Sequence, residues 1–218
     1  MTHPATIDEH YYCADEFHRC DGGGAGEALR YNPALLPEPR KWRTIVVDPP
    51  WAYGDKLRMG SGPKHRGADS HYVTAGLEDI ARYPVGEWAE HDAHLYVWTT
   101  NAFLSESRAL IDGWGFEYKT MLTWVKSYIG MGHYFRGSTE HVMFAVRGKL
   151  PLLRRDLPTH FTGHNEARRH SQKPQAFYDM VETASPSPYL DVFARKQRMG
   201  WDVAGNEVYS VIPELAAK

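Results

Sequence analysis

Thr44-Ile45-Val46-Val47-Asp48-Pro49-Pro50-Trp51 is the stretch on which the reading of the chain turns. Four β-branched residues favour an extended, buried backbone. Two prolines follow, and because proline has no N–H to give to a ladder, the strand must stop at Asp48. On its C-terminal side, Gly54, Gly60, Gly62, Pro63 and Gly67 interrupt a segment with no periodicity, so residues 54–72 read as a long loop overhanging the strand's end. Beyond it, Leu77 to Arg82 and Phe103 to Trp114 have helical spacing, while Ala93 to Thr99, Glu117 to Val125 and His141 to Val146 read as strands. A basic, proline-interrupted loop at 150–172 then leads to a helix over Gln175 to Ala184, whose first turn Pro174 is placed to start, and to a second short buried strand over Tyr189 to Phe193. This alternation predicts an α/β fold: a single open, mostly parallel sheet that binds ligands at the carboxyl ends of its strands. Asp48 and Asp191 both lie at or near such ends.

The remaining composition narrows the class. The 218 residues are 42% hydrophobic and 24% charged, which excludes a wholly disordered, collagen-like or coiled-coil chain. Twenty-five Lys and Arg against 27 Asp and Glu give a net charge of −2, so any contact with nucleic acid must come from local patches. No apolar run approaches the ~18 residues of a spanning helix, and the N-terminus has no apolar signal core, so a cytoplasmic protein with no membrane partner is expected. Cys13 and Cys20 would close only a short loop, which fits a reducing compartment. Residues 1–40 are polar and broken by Gly22 to Gly26, Pro33, Pro37 and Pro39, so they read as a weakly ordered arm ahead of a catalytic domain over 41–218.

Chemistry concentrates at the strand end. Asp48 offers a carboxylate, Pro49 a carbonyl and Trp51 an aromatic face, a set that suits a planar amine. The amino group of adenine is a poor nucleophile because its lone pair is delocalised into the ring, and acceptors on both of its hydrogens favour rehybridisation toward an attacking lone pair. The residues alone leave a second reading open, that Asp-Pro-Pro is only a strand-terminating turn. Four basic clusters are candidates for phosphate contact: Arg40-Lys41-Arg43; Lys56, Arg58, Lys64 and Arg66; Arg147 to Arg155, with Arg154 and Arg155 at its centre; and Arg168 and Arg169. Their alternative is the ordinary charge of solvated loops. His10, Cys13, His18 and Cys20 are zinc-ligand types without paired Cys-x-x-Cys spacing, so no metal site is expected. Gly22 to Gly26 follows no strand and Gly60 to Lys64 lacks Walker spacing, so nucleotide hydrolysis is not expected.

Asp48-Pro49-Pro50-Trp51, together with Arg169-His170-Ser171-Gln172-Lys173-Pro174, Asp191-Val192-Phe193-Ala194-Arg195, Gly200-Trp201-Asp202-Val203 and Gly205-Asn206-Glu207, resembles the MT-A70 family of adenine amino-methyltransferases. Tyr96 to Thr99, Trp124 to Lys126 and Glu140-His141 also follow in the family's order, so the resemblance runs from about Trp42 to Val208. It implies a Rossmann-like methyltransferase of permuted motif order, with the catalytic tetrapeptide ahead of the segment that holds S-adenosylmethionine. It assigns Asp48, Pro49, Pro50 and Trp51 to catalysis, and Lys173, Asp191, Phe193, Arg195, Gln197, Asn206 and Glu207 to the cofactor. A carboxylate that wants a fixed cation and a ribose that suits an amide and a carboxylate give those residue types a physical sense. The loop after the late strand, Ala194 to Met199, holds no glycine, which leaves it to side chains.

The resulting expectation is an S-adenosylmethionine-dependent enzyme that methylates the 6-amino group of adenine in nucleic acid. DNA is favoured over RNA because the chain resembles the small bacterial and phage branch, and a duplex adenine would have to be flipped or already unpaired to reach Asp48. A catalytically silent nucleic-acid-binding or scaffold subunit of the same fold is the alternative. Methylation of a protein glutamine or of cytosine is a third, disfavoured because those enzymes use Asn- or Ser-Pro-Pro tetrapeptides. Recognition sequence, strandedness and the choice among monomer, homodimer and heterodimer are not encoded legibly.

Overall fold

A computed structural model describes residues 40–51, 75–130, 134–163, 173–205, 208 and 210–212. Strand β1 (Trp42–Val47) is followed by the short helices α1 (Leu77–Ala81) and α2 (Val85–Trp88), then β2 (Ala89–Thr99), α3 (Leu104–Gly113), β3 (Glu117–Val125) and β4 (Thr139–Arg147). The chain continues through β5 (His160–Thr162), α4 (Gln175–Ala184), β6 (Tyr189–Val192) and β7 (Trp201–Ala204). The strands form one seven-stranded sheet in the order β5-β3-β4-β2-β1-β6-β7. β1 pairs in parallel with β2 and β6, β6 with β7, and β3 with β5, whereas β4 runs antiparallel to both β2 and β3. The open, mostly parallel α/β sheet read from the sequence is therefore the architecture found. None of the described helices is long and apolar enough to cross a membrane.

Alternation along the strands builds two core layers. Ile45, Val47, Leu95, Val97, Leu190 and Val192 face one way and pack with Ile80, Val85, Leu110 and Ile111 of α1, α2 and α3. Val46, Tyr96, Trp98, Phe144 and Val203 face the other way and pack with Phe177, Tyr178 and Val181 of α4. The spacing of Phe177, Tyr178, Val181 and Ala184 gives α4 one buried stripe, and Pro174 sits at its N-cap in an extended conformation.

Two strands were not legible. β5 lies inside the expected loop 150–172 and has only three residues, too few to show a period, so its pairing with Thr123, Trp124 and Val125 defines it. β7 forms within the Gly200-to-Val203 motif and is held by β6, with Trp42 Nε1 donating to Asp202 at 2.7 Å across the sheet. The late strand also ends one residue short of the expected Phe193, because Phe193 adopts φ 64° and leaves the ladder.

One buried polar cluster ties α4 to the sheet. His94 Nε2 lies 2.9 Å from the Leu150 carbonyl, which only accepts, so this nitrogen carries the proton of the neutral ring. Nδ1 then accepts from the Ser185 hydroxyl at 2.8 Å, and the Tyr96 hydroxyl donates to Ser185 at 2.7 Å. Burial pushes the His94 pKa down, with the Leu150 bond opposing it, so the unfolded chain takes up a proton more readily than the folded one. Stability should fall as pH drops below the ordinary histidine value. Ser185→Ala orphans two buried partners and is expected to cost about 1–3 kcal/mol, read as a lowered midpoint in urea unfolding.

Candidate active site

Beyond β1 the chain goes on to α1 and β2 on one side, while beyond β6 it goes to β7 on the other. The crevice between the ends of β1 and β6 is therefore a point where chain direction reverses, the place an open α/β sheet offers to a ligand. Val47 and Val192 are paired in register, and the Asp48 N–H donates to the Val192 carbonyl at 3.2 Å. Asp48 and Phe193 thus leave adjacent strands side by side. Lys173, immediately before α4, comes to the same point from the helix side.

A line of alternating charges runs outward from Asp48. Lys173 Nζ lies 3.0 Å from Asp48 Oδ1 and 3.4 Å from Glu140 Oε2, and Lys126 Nζ lies 2.5 Å from Glu140 Oε1. The Lys173 ammonium also sits 4.6 Å from the centre of the Trp98 ring. Burial pushes the Asp48 pKa up despite the opposing pull of Lys173. For Lys173, burial works against the charge, but the Asp48 and Glu140 carboxylates outweigh it and raise its pKa, so the ammonium is kept. Glu140 is penalised by burial yet held ionised below its ordinary value by Lys173 and Lys126. The carboxylate of Asp48 is thus poorly hydrated and fixed on one oxygen by a cation that a second carboxylate shares.

Asp48 and Lys173 line one cleft, open to solvent, with Tyr178, Asp191, Phe193, Ala194, Arg195, Lys196 and Arg198. Asp191 faces the α4 side, where the Tyr178 hydroxyl donates to it at 2.8 Å. Burial and the nearby charge of Asp48 raise the Asp191 pKa to about 7, against the Tyr178 bond and the cations Arg198 and Lys173. Arg198 stacks over the Tyr178 ring at 3.5 Å and donates to Gln175 at 2.6 Å, while its Nε is buried with no hydrogen-bond partner among the described residues. A cleft with three cations on one loop, one of them with an unused buried donor, suits a small ligand that carries a carboxylate. S-adenosylmethionine fits that description.

Phe193, in the left-handed region, makes the turn that a glycine would make in a glycine-rich loop, and its ring packs edge-on against Tyr83 at 5.1 Å. The loop is closed by the Ala194 N–H donating to Ala204 at 3.0 Å. A Cβ on Gly205 would lie 2.2 Å from the Ala194 carbonyl oxygen, a backbone atom that has no room to yield. Gly205→Ala is expected to lower stability by roughly 3 kcal/mol and to weaken ligand binding in the cleft, measured by thermal unfolding and calorimetry.

Of the residues singled out from sequence, the structure brings Asp48, Lys173, Asp191, Phe193 and Arg195 into this one cleft. Gln197 is exposed and does not line it, while Arg198 and Tyr178, to which the sequence assigns no role, do. Trp51 is expected to offer a stacking face, but it is only 6% exposed. One face of its indole lies on Phe103 at 4.9 Å and its N–H reaches the Trp98 carbonyl at 3.3 Å, so it packs into the core beside Asp48 and is not among the residues lining the cleft. The Pro49 carbonyl accepts the Trp51 N–H at 2.8 Å and keeps its second lone pair. The Pro50 carbonyl accepts the Ala75 N–H at 2.9 Å.

Arg154 and Arg155 are not brought to Asp48. Because β4 is antiparallel, it delivers the chain to the amino ends of the other strands, where the Leu153 N–H donates to Ala184 at the end of α4. Arg154 is there paired with Asp156. Arg40, paired with Asp202 at 3.1 Å, also enters β1 from that side. Lys56, Arg58, Lys64, Arg66, Arg168, Arg169, Asn206 and Glu207 lie outside the described residues, as do the arm and its His10, Cys13, His18 and Cys20. Among the described residues no group of His, Cys, Asp or Glu is arranged to hold a metal ion.

Residues 42–207 match the model of the MT-A70 family. The chain is 30% identical to the type II methyltransferase M.MunI of a Mycoplasma species over 183 residues, covering 78% of both proteins. It is 27% identical over 178 residues to a probable N(6)-adenosine-methyltransferase MT-A70-like protein of rice, and 23% identical over 192 residues to the human N(6)-adenosine-methyltransferase catalytic subunit METTL3. Those alignments cover 77% and 82% of this chain but only 23% and 30% of the eukaryotic proteins. With the match spanning most of its length and including both strands that frame the cleft, the chain belongs to the MT-A70 family of adenine methyltransferases.

Proposed function

We propose that the chain methylates the 6-amino group of adenine in nucleic acid, DNA ahead of RNA, with S-adenosylmethionine as donor. The observation that carries this reading is the meeting of Asp48 and the Phe193 to Arg198 loop in one cleft. On this reading the carboxylate strand β1 precedes the cofactor strand β6 in the chain, the permuted order that the sequence implies. The preference for DNA rests on extent: the match to the type II methyltransferase covers 78% of both chains, that to the eukaryotic N(6)-adenosine enzymes under a third of theirs.

S-adenosylmethionine, when bound, supplies a methyl group on a sulfonium centre. Arg195, Lys196 and Arg198 would hold its carboxylate, and Phe193 would bound its path toward Asp48. Asp48 accepts one hydrogen of the amine through the oxygen that Lys173 leaves free, and the spare lone pair of Pro49 accepts the other. Both acceptors aim the nitrogen lone pair into the cleft, so positioning supplies much of the rate. Asp48 offsets the positive charge that develops on the nitrogen, and the acidified amine proton leaves to Asp48 or water. Glu140 draws on Lys173 and keeps Asp48 from being fully neutralised by it, while Lys126 holds the other oxygen of Glu140.

The test is methyl transfer from labelled S-adenosylmethionine to single- and double-stranded DNA and RNA, followed by nuclease digestion and mass spectrometry. Label in 6-methyldeoxyadenosine is the expected result. Label in the ribonucleoside alone would move the substrate to RNA, and absence of both transfer and cofactor binding would favour a silent subunit.

A further inference from the structure

β3 and β4 form an antiparallel hairpin, and the described residues of its connection, 126–130 and 134–138, rise from the same end of the sheet as Asp48. Its stem is held by the Lys126 N–H donating to Ser138 at 2.8 Å and the Gly130 N–H donating to Gly137 at 2.7 Å. Along it stand four large apolar side chains that the core does not use: Tyr128 at 50% exposure, Ile129 at 72%, Tyr134 at 98% and Phe135 at 92%. Side chains this exposed and this close together call for an occupant.

Two observations say what the occupant is. The first is charge: residues 126–130 and 134–138 include Lys126 and Arg136 and no acidic residue, so this end of the hairpin suits a polyanion. The second is continuity with the site. The Lys126 ammonium lies 5.6 Å from the centre of the Tyr128 ring and bonds Glu140, which shares Lys173 with Asp48. An unbroken line of contacts therefore leads from the carboxylate that would grip the target base to the foot of the aromatic hairpin. Aromatic rings beside cations, next to the point where one base is taken up, form a stacking platform for a single strand.

We propose that the end of the β3–β4 hairpin, through residues 126–130 and 134–138, binds the nucleic-acid strand beside the target adenine, with Tyr134 and Phe135 stacking on its bases. This rests on the reading of the chain as a nucleic-acid adenine methyltransferase. Neither residue lines the cleft and both are almost fully exposed, so their replacement leaves the core and the cofactor loop intact.

The experiment compares wild type, Tyr134→Ala/Phe135→Ala and Tyr134→Trp/Phe135→Trp. It reads fluorescence anisotropy with labelled DNA and RNA oligonucleotides, methyl-transfer kinetics, S-adenosylmethionine binding and mass in solution. The alanine pair should raise the Kd for single strands about tenfold to hundredfold, and the tryptophan pair should restore it. KM for the oligonucleotide should rise in parallel, while kcat at saturation stays within about twofold and cofactor affinity is unchanged. Unchanged oligonucleotide binding in the alanine pair overturns the proposal, and if its mass in solution halves at the same time the hairpin is a contact between copies of the chain. A wild-type protein that neither binds nor methylates any of the polymers defeats the parent reading and this one together. A wild type that does both, matched by the alanine pair, defeats this one alone.

Discussion

Asp48→Asn is expected to slow methyl transfer by about a thousandfold while the protein keeps its fold and its affinity for S-adenosylmethionine. The substitution preserves shape but replaces an acceptor-only carboxylate with an amide whose NH2 competes for the same position, so the amine loses both a charge partner and a reliable acceptor. The charge that develops on the nitrogen then goes uncompensated in a site that is poorly hydrated, where such compensation counts most. The fold should survive, because burial already works against the Asp48 charge and its N–H bond to Val192 belongs to the backbone. Thermal unfolding should show a midpoint equal to or above that of wild type. The same burial sets the pH dependence: transfer needs ionised Asp48, whose pKa is raised, so the rate should fall on the acid side beginning above the ordinary aspartate range. Single-turnover rates across pH, with cofactor binding by calorimetry, read both effects. A folded Asp48→Asn protein with wild-type turnover would remove Asp48 from the mechanism.

Lys173→Met should be the most damaging change to stability. It leaves Asp48 and Glu140 as two carboxylates converging on an apolar side chain, with Lys126 touching only the outer one. Breaking a buried ion pair from one side typically costs about 3–5 kcal/mol, and Lys173 and its two partners are all mostly buried. At neutral pH the site would relieve itself by holding a proton between the carboxylates, so the acid limb of the pH–rate profile should move to higher pH and transfer at pH 7 should drop by about a hundredfold. Adding Glu140→Gln removes the repulsion, so the double variant should regain most of the stability without regaining the rate. Urea unfolding of the four proteins in a double-mutant cycle measures the coupling directly. Wild-type stability and an unmoved pH profile in Lys173→Met would show that the charges are neighbours without being a network.

The strand end at Asp48 was legible because two local rules coincide there, β-branching before it and proline after it. The role of Lys173 was half legible: the Lys-Pro step at the head of α4 marks the residue, but its partners come from β1 and β4, and no local pattern encodes a contact over that separation. Glu140 shares a face of β4 with Val142 and Phe144, so alternation places it on the α4 side without saying that a lysine waits there. The position of Arg154 and Arg155 was not legible because charge in a loop carries no direction, whereas the antiparallel course of β4 decides which end of the sheet the loop occupies. The packing of Trp51 was not legible for a related reason, since an aromatic next to a site can face the ligand or the core, and the Phe103 ring that covers one face comes from a different part of the chain. Phe193 gave no sign of its left-handed backbone, because tertiary packing imposes that conformation on a residue that does not favour it.

The most direct test of the account is to express wild type and Asp48→Ala in a host that lacks its own DNA adenine methylation and to quantify methylated nucleosides in the host's DNA and RNA by mass spectrometry. The account predicts 6-methyldeoxyadenosine in DNA from cells with the wild-type protein and none above background with Asp48→Ala at equal protein levels. Equal 6-methyladenine in the two samples, or a methyl group found on a base other than adenine, would contradict it.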